Sequence, residues 1–217
     1  MMKSLADCLL YAFVDSAYLD GRDPVEIGRQ LCEGGADLVQ LRAKDWDSAE
    51  VARLAKRLAP VMADAGVRLV VNDHPEIAAE AGAPTAHLGQ EDFFDAGHRQ
   101  VDEVKPDGTT LELGLSTHAP DQAKRACDAE ADYVAIGPVF ATPTKPGRPA
   151  VTLEYVRWAA ANIDRPWFAI GGINEENLAD VIAAGASRVC IVSAILRAPD
   201  VADACRAFKE RLLSSPG

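Results

Sequence analysis

Along the whole chain, short apolar runs alternate with longer stretches in which apolar residues recur every three or four positions. The short, β-rich runs predict strands at Leu9–Val14, Leu38–Leu41, Arg68–Val71, Ala86–Leu88, Glu112–Leu115, Tyr133–Ile136, Trp167–Ile170 and Arg188–Val192. The intervening stretches predict helices at Pro24–Glu33, Ser48–Ala65, Pro75–Ala81, Gly97–Val104, Pro120–Ala129, Leu153–Asn162, Glu175–Ala184 and Pro199–Leu213. In the second of these, Val51, Leu54, Ala55, Leu58, Val61 and Met62 draw the stripe of a half-buried helix. Asp23 before Pro24 is an N-cap followed by a first-turn proline. Ser48 offers a capping hydroxyl but has no capping-box acid, since Val51 stands three residues on. Gly-Ala pairs precede strands at Gly35-Ala36, Gly82-Ala83 and Gly185-Ala186, as in turns that return a helix to a sheet.

Eight strand–helix units follow one another without a linker, a low-complexity tract or a break in composition, and no Gly-rich dinucleotide fingerprint follows the first strand. That alternation predicts an α/β chain, a single (β/α)8 TIM barrel over residues 1–217, rather than an open doubly wound sheet. The fourth unit is the weakest: Ala86–Leu88 is short and Phe93–Gly108 is poorly patterned.

Composition narrows the partners. With 22 basic and 33 acidic residues the net charge is −11, so the bulk surface repels nucleic acid and anionic membrane, and an anionic substrate needs a local positive site. No apolar run approaches the roughly 20 residues of a membrane span, and the amino terminus reads as a leading strand rather than a signal peptide. Five scattered cysteines without a C-x-x-C pair suit buried thiols in a reducing cytoplasm. A homo-oligomer is compatible with the pattern, but no surface stripe marks an interface.

In such a barrel the chemistry sits on the loops that follow the strands. After the second strand, alternation sends Gln40, Arg42 and Lys44 to one side, toward the mouth. The third strand ends in Asn72-Asp73, the fourth in His87-Leu88-Gly89-Gln90-Glu91-Asp92, and the fifth in Ser116-Thr117-His118. The sixth runs into a segment holding Thr142, Thr144 and Lys145, the seventh into Gly171-Gly172, and the eighth into Val192-Ser193. Taken singly, each has a plain reading: Asn-Asp is a turn, Gly-Gly a turn needing positive φ, and Thr-x-Thr-Lys a solvated loop. No G-x-S-x-G elbow supports a Ser/His/acid triad, and the four histidines lack zinc-ligand spacing. Taken together, cations, hydrogen-bond donors and two carboxylates at consecutive strand ends describe a pocket for a metal-bridged diphosphate. The last two loops fit a backbone-amide phosphate site.

The motifs Q-L-R-x-K at Gln40–Lys44, N-D at Asn72-Asp73, H-L-G-Q-E-D at His87–Asp92 and G-x-S-x-H at Gly114–His118 resemble those of the thiamine-phosphate synthase family. The likeness continues through Ala131–Lys145, Ile170–Ile173 and Val192–Ile195, in the same order over nearly the whole chain. It implies a transferase that joins hydroxymethylpyrimidine diphosphate to thiazole phosphate and releases diphosphate by a dissociative route. Carried over, it implies that Gln40, Arg42, Lys44 and Asn72 bind the pyrimidine diphosphate and that Asp73 and Asp92 hold Mg2+. Ser116 and Lys145 would bind the diphosphate, and Arg42, Lys44, Ser116 and Lys145 would be the catalytic set. Thr142 and Thr144 would take the thiazole phosphate, with Gly172, Val192 and Ser193.

The chain also departs from the family pattern. Ala43 replaces a usual Glu, Ala83-Pro84-Thr85-Ala86 replaces Ala-Asp-Gly-Val before His87, and the loop after Lys145 is short. The related thiazole tautomerases characteristically carry a His in the loop after the sixth strand, where this chain has Pro138. A catalytically idle phosphate-binding barrel is the third reading, kept open by the altered loop.

Overall fold

The computed structural model describes residues 2–141 and 150–214. Eight parallel strands close in sequence order: β1 (Leu10–Asp15), β2 (Leu38–Arg42), β3 (Arg68–Asn72), β4 (Thr85–Gly89), β5 (Glu112–Thr117), β6 (Tyr133–Ile136), β7 (Trp167–Ile170) and β8 (Val189–Cys190). The last returns to the first through Leu10↔Val189 and Tyr11↔Cys190. Around them run α1 (Pro24–Glu33), α2 (Ser48–Ala65), α3 (Pro75–Ala81), α4 (Gln90–Asp95), α5 (Pro120–Asp128), α6 (Thr152–Asn162), α7 (Leu178–Ala183), α8 (Ser193–Leu196) and α9 (Val201–Leu213). The expected closed barrel is the observed fold. Among the described residues no helix is long and apolar enough to cross a membrane.

The strands are covered on both sides. Leu38, Val39, Val70, Val71, Val134 and Ile136 are buried to within a percent of completely, as expected when helices pack on the outside of an all-parallel sheet. Inside the barrel, Tyr11, Tyr133 and Phe168 meet edge to face, with ring centroids 5.4 to 6.0 Å apart. These rings fill the interior beneath the mouth, in the geometry aromatic quadrupoles favour.

The amino-terminal end of the barrel is closed by a charged hub. Asp37, just before β2, accepts from Lys3 Nζ at 2.6 Å, from the amides of Leu9 and Leu10 at 2.8 and 3.0 Å, and from Lys209 Nζ of α9. Arg68 donates to the Lys3 carbonyl at 2.8 Å and pairs with Glu112. One buried carboxylate therefore fastens the chain's start, the entry to β1 and the last helix together.

Several local expectations change. The cap of α2 is Asp47 rather than Ser48: its carboxylate accepts from the Glu50 amide at 2.7 Å while Glu50 reaches back to the Asp47 amide, a complete capping box one residue earlier. The fourth helix lies at Gln90–Asp95, and Gly97–Val104 holds only a 3-10 turn, Val101–Glu103. Phe93 and Phe94 are the buried apolar residues that anchor it. Glu91 and Asp92 in its first turn complement the positive end of the helix dipole. A single turn was too short to show periodicity. The strand before it is sound: Thr85 begins β4 in register with Val70 and Glu112, so the Pro84-Thr85 departure leaves the ladder intact. β8 is only two residues long, and a short helix, α8, follows it directly.

All five cysteines are free; Cys8, Cys190 and Cys205 are buried, while Cys32 and Cys127 are half-buried. Burial pushes the thiols up, Cys8 and Cys32 to about 11 and Cys205 to about 12, away from the thiolate that reactivity requires.

Candidate active site

At the carboxyl ends of the strands the barrel opens into a cavity of about 340 Å3. On β1 the residues Tyr11, Phe13 and Asp15 face it; on β2 and just beyond, Gln40, Arg42 and Lys44 do. Both sets keep the two-residue period of a strand. Asn72 and Asp73 enter from β3, Asp92 from the start of α4, and Ser116 from β5; Gly172, Val192 and Ser193 enter from the ends of β7 and β8. Every described residue of the expected site thus lines one cavity. Thr142, Thr144, Lys145 and the short loop after it lie outside the described residues. A smaller cavity of about 160 Å3, bounded by Trp46, Val51 and His74, adjoins the first through Lys44, Asn72 and Asp73.

Backbone geometry supports these placements. Asp73 has φ +66°, a left-handed conformation uncommon outside glycine and met at functional strand ends. Its amide donates to the His87 carbonyl at 2.9 Å, which ties the end of β3 to β4. Gly171 and Gly172 have φ +107° and +66°, so both need glycine for the turn after β7, as the sequence suggested.

The charges are arranged in pairs. Arg42 donates to Asp15 Oδ2 at 2.8 Å; Asp15 is completely buried and also accepts from the Ala17 amide at 3.0 Å. Lys44 Nζ stands 3.6 Å from Asp73 Oδ2, a looser pair at the solvent edge. His118 donates through Nδ1 to the Gly137 carbonyl, and its Nε2 lies 3.7 Å from Glu91 Oε2. Among the described lining residues, the carboxylates Asp15, Asp73, Glu91 and Asp92 outnumber the cations Arg42 and Lys44. An anionic ligand entering that set meets net repulsion unless it brings or finds further positive charge.

Sequence reasoning passed over several of these groups. Asp15 fell one residue past the expected end of the first strand, although its register partner is Arg42. Tyr11 and Tyr133 lie inside the expected first and sixth strands with no role assigned, and His87, Glu91 and His118 stand inside the strand-end motifs without one. The strand period, carried one position further from Phe13, was the signal that would have found Asp15.

Comparison with known proteins decides the family. The model of thiamine monophosphate synthase matches residues 10–195. The chain belongs to the thiamine monophosphate synthase family. A thiamine-phosphate synthase from Thermus thermophilus is 48% identical over 180 residues, covering 82% of this chain and 84% of that protein. One from Acidothermus cellulolyticus is 44% identical over 217 residues, covering 99% of this chain and 100% of the relative. Among solved structures, the thiamine phosphate pyrophosphorylase of Pyrococcus furiosus superposes with a TM-score of 0.84 at 26% identity, over 98% of this chain and 99% of that one. Membership in the synthase family makes the cavity at the strand ends the place to look for the chemistry.

Proposed function

We propose that this chain condenses hydroxymethylpyrimidine diphosphate with thiazole phosphate to give thiamine phosphate and diphosphate, acting over residues 1–217 as one catalytic domain in the cytoplasm. Its partners on this reading are these small molecules, not nucleic acid or membrane. The observation that carries the reading is the convergence of Arg42, Lys44, Asn72, Asp73, Asp92 and Ser116 on one cavity in a chain of this family.

Gln40 and Asn72 bind the pyrimidine diphosphate with Arg42 and Lys44. As the carbon–oxygen bond to the leaving diphosphate breaks, negative charge grows on its oxygens. The cationic groups of Arg42, Lys44 and Lys145, with the Ser116 hydroxyl, stabilise that charge as it develops. The thiazole nitrogen then forms the carbon–nitrogen bond to the pyrimidine cation, while Thr142, Thr144, Gly172, Val192 and Ser193 hold the thiazole phosphate. No proton changes hands in this sequence, so no general base is needed.

Asp73 and Asp92 suit Mg2+. Two carboxylates supply hard oxygen ligands, too few for an all-protein cage, and this ion takes one or two carboxylates with the rest from water and substrate phosphates. Among the described residues no group of three or more His, Cys, Asp or Glu side chains forms such a cage. When bound, Mg2+ supplies the positive charge that the excess of carboxylates otherwise denies a diphosphate. Asp92→Asn and Asp73→Asn should each raise the Mg2+ concentration needed for half-maximal turnover by at least about tenfold, with melting within a few degrees of wild type. An unchanged Mg2+ requirement in both variants would remove the metal from these residues.

A further inference from the structure

Beneath the cavity a chain of buried polar groups crosses the barrel. Gln40 Nε2 donates to the Tyr11 hydroxyl at 2.5 Å, Tyr11 and Tyr133 share a hydrogen bond at 3.0 Å, and the Tyr133 hydroxyl lies 2.9 Å from His87 Nδ1. Tyr133 and His87 sit on β6 and β4, with β5 between them. They meet because the residue paired with both is Gly114. A Cβ there would stand 2.1 Å from Tyr133 Cζ, so only glycine leaves the passage open.

With the Gln40 amide nitrogen facing Tyr11, the direction of donation follows along the chain. Tyr11 and Tyr133 are buried to within a percent of completely, and a buried hydroxyl proton left without an acceptor costs about 1–3 kcal/mol. The amide nitrogen of Gln40 cannot accept, so the proton of Tyr11 goes to the Tyr133 oxygen. Tyr133 must then give its own proton to His87 Nδ1. Desolvation pushes both phenols well above their ordinary range, so they remain donors at neutral pH. An imidazole that accepts at Nδ1 carries its proton on Nε2.

We propose that Tyr11 and Tyr133 are positioning residues that hold His87 as its Nε2–H tautomer, giving the floor of the cavity a fixed donor at His87 and leaving Gln40 its amide oxygen as acceptor. A heteroaromatic ring seated there is then read by one acceptor and one donor set by residues behind the wall. The link to substrate rests on the proposed function, since both Gln40 and His87 line the cavity; the tautomer does not.

The test has two arms. In 15N-labelled wild-type protein at neutral pH, two-bond nitrogen–proton correlations should show His87 with bare Nδ1 and protonated Nε2. In Tyr133→Phe, which keeps the ring and removes the hydroxyl, that pattern should give way to a mixture of tautomers. Tyr11→Phe interrupts the chain one step earlier and should do the same in milder form; it serves if the first variant folds poorly. In the kinetic arm, the KM for the pyrimidine diphosphate should rise about tenfold in Tyr133→Phe, with the KM for thiazole phosphate unchanged. A protonated Nδ1 in the wild type, or a wild-type spectrum in both variants, overturns the proposal. A correct tautomer pattern in a protein that turns over neither substrate would overturn the proposed function while sustaining the relay.

Discussion

Removing Asp37 and removing Lys209 should have very different effects on stability, although the two form one ion pair. In Asp37→Ala, the Lys209 ammonium, on a residue only 8% exposed, loses its acceptor, as do the amides of Leu9 and Leu10. Breaking a buried pair so that a charge stays uncompensated costs about 3–5 kcal/mol, which is about a fifth or more of the roughly 5–15 kcal/mol that holds a typical protein folded. In Lys209→Met, Asp37 keeps Lys3 and both amides, the flexible thioether fills much of the vacated volume, and one ammonium no longer needs desolvating. That loss should be about 1 kcal/mol, since apolar replacement of a buried ion often comes out near neutral. The asymmetry of roughly 3 kcal/mol corresponds to a melting difference of about 6–12 °C at this chain length. Equilibrium unfolding in urea, with turnover measured at 25 °C on the same samples, reads both quantities. Turnover should hardly move, because Asp37 lies at the end of the barrel opposite the cavity. Equal losses in the two variants, or a loss below about 1 kcal/mol for Asp37→Ala, would refute the view of Asp37 as the hub.

The same hub makes a prediction about pH. Burial raises the Asp37 carboxyl, but hydrogen bonds from Lys209, Lys3 and the two amides outweigh it and hold the group below the ordinary carboxylate range. A group depressed in the folded state contributes stability that is full above its unfolded value, roughly pH 4, and is lost as pH falls through the folded one. The unfolding free energy of wild type should therefore fall more steeply below about pH 4 than that of Asp37→Asn, and superimposable acid limbs would rule this out. At the other end of the barrel, Asp15→Asn keeps the shape beside Arg42 but removes the charge that orients it. A charge-assisted hydrogen bond of about 1.5–3 kcal/mol predicts a fall in kcat/KM for the pyrimidine diphosphate of roughly ten- to hundredfold. Wild-type kinetics in that variant would show that Arg42 holds its place without Asp15.

Periodicity made the barrel legible because each β-rich run and each amphipathic stretch carries its own signal, and the order of the runs dictates a parallel closure. The signal failed where elements are shortest. α4 spans little more than a turn, so Phe93 and Phe94 gave too few repeats to reveal it. The lining of the cavity was legible wherever a polar residue interrupts an apolar strand end, as Arg42, Asn72 and Ser116 do. It was not legible where the working contact crosses between strands. Gly114 in the sequence is only a small residue; that it opens a passage between His87 and Tyr133 follows from the register of three strands. Asp15 likewise gains its meaning from standing opposite Arg42 in the closed sheet.

The cavity at the strand ends is most directly tested by incubating the purified protein with hydroxymethylpyrimidine diphosphate and thiazole phosphate, with Mg2+ or with excess EDTA, and following thiamine phosphate and released diphosphate. Equal amounts of the two products with Mg2+, and neither with EDTA, are the expected result. No product with Mg2+, or isomerisation of a thiazole substrate without condensation, would contradict it.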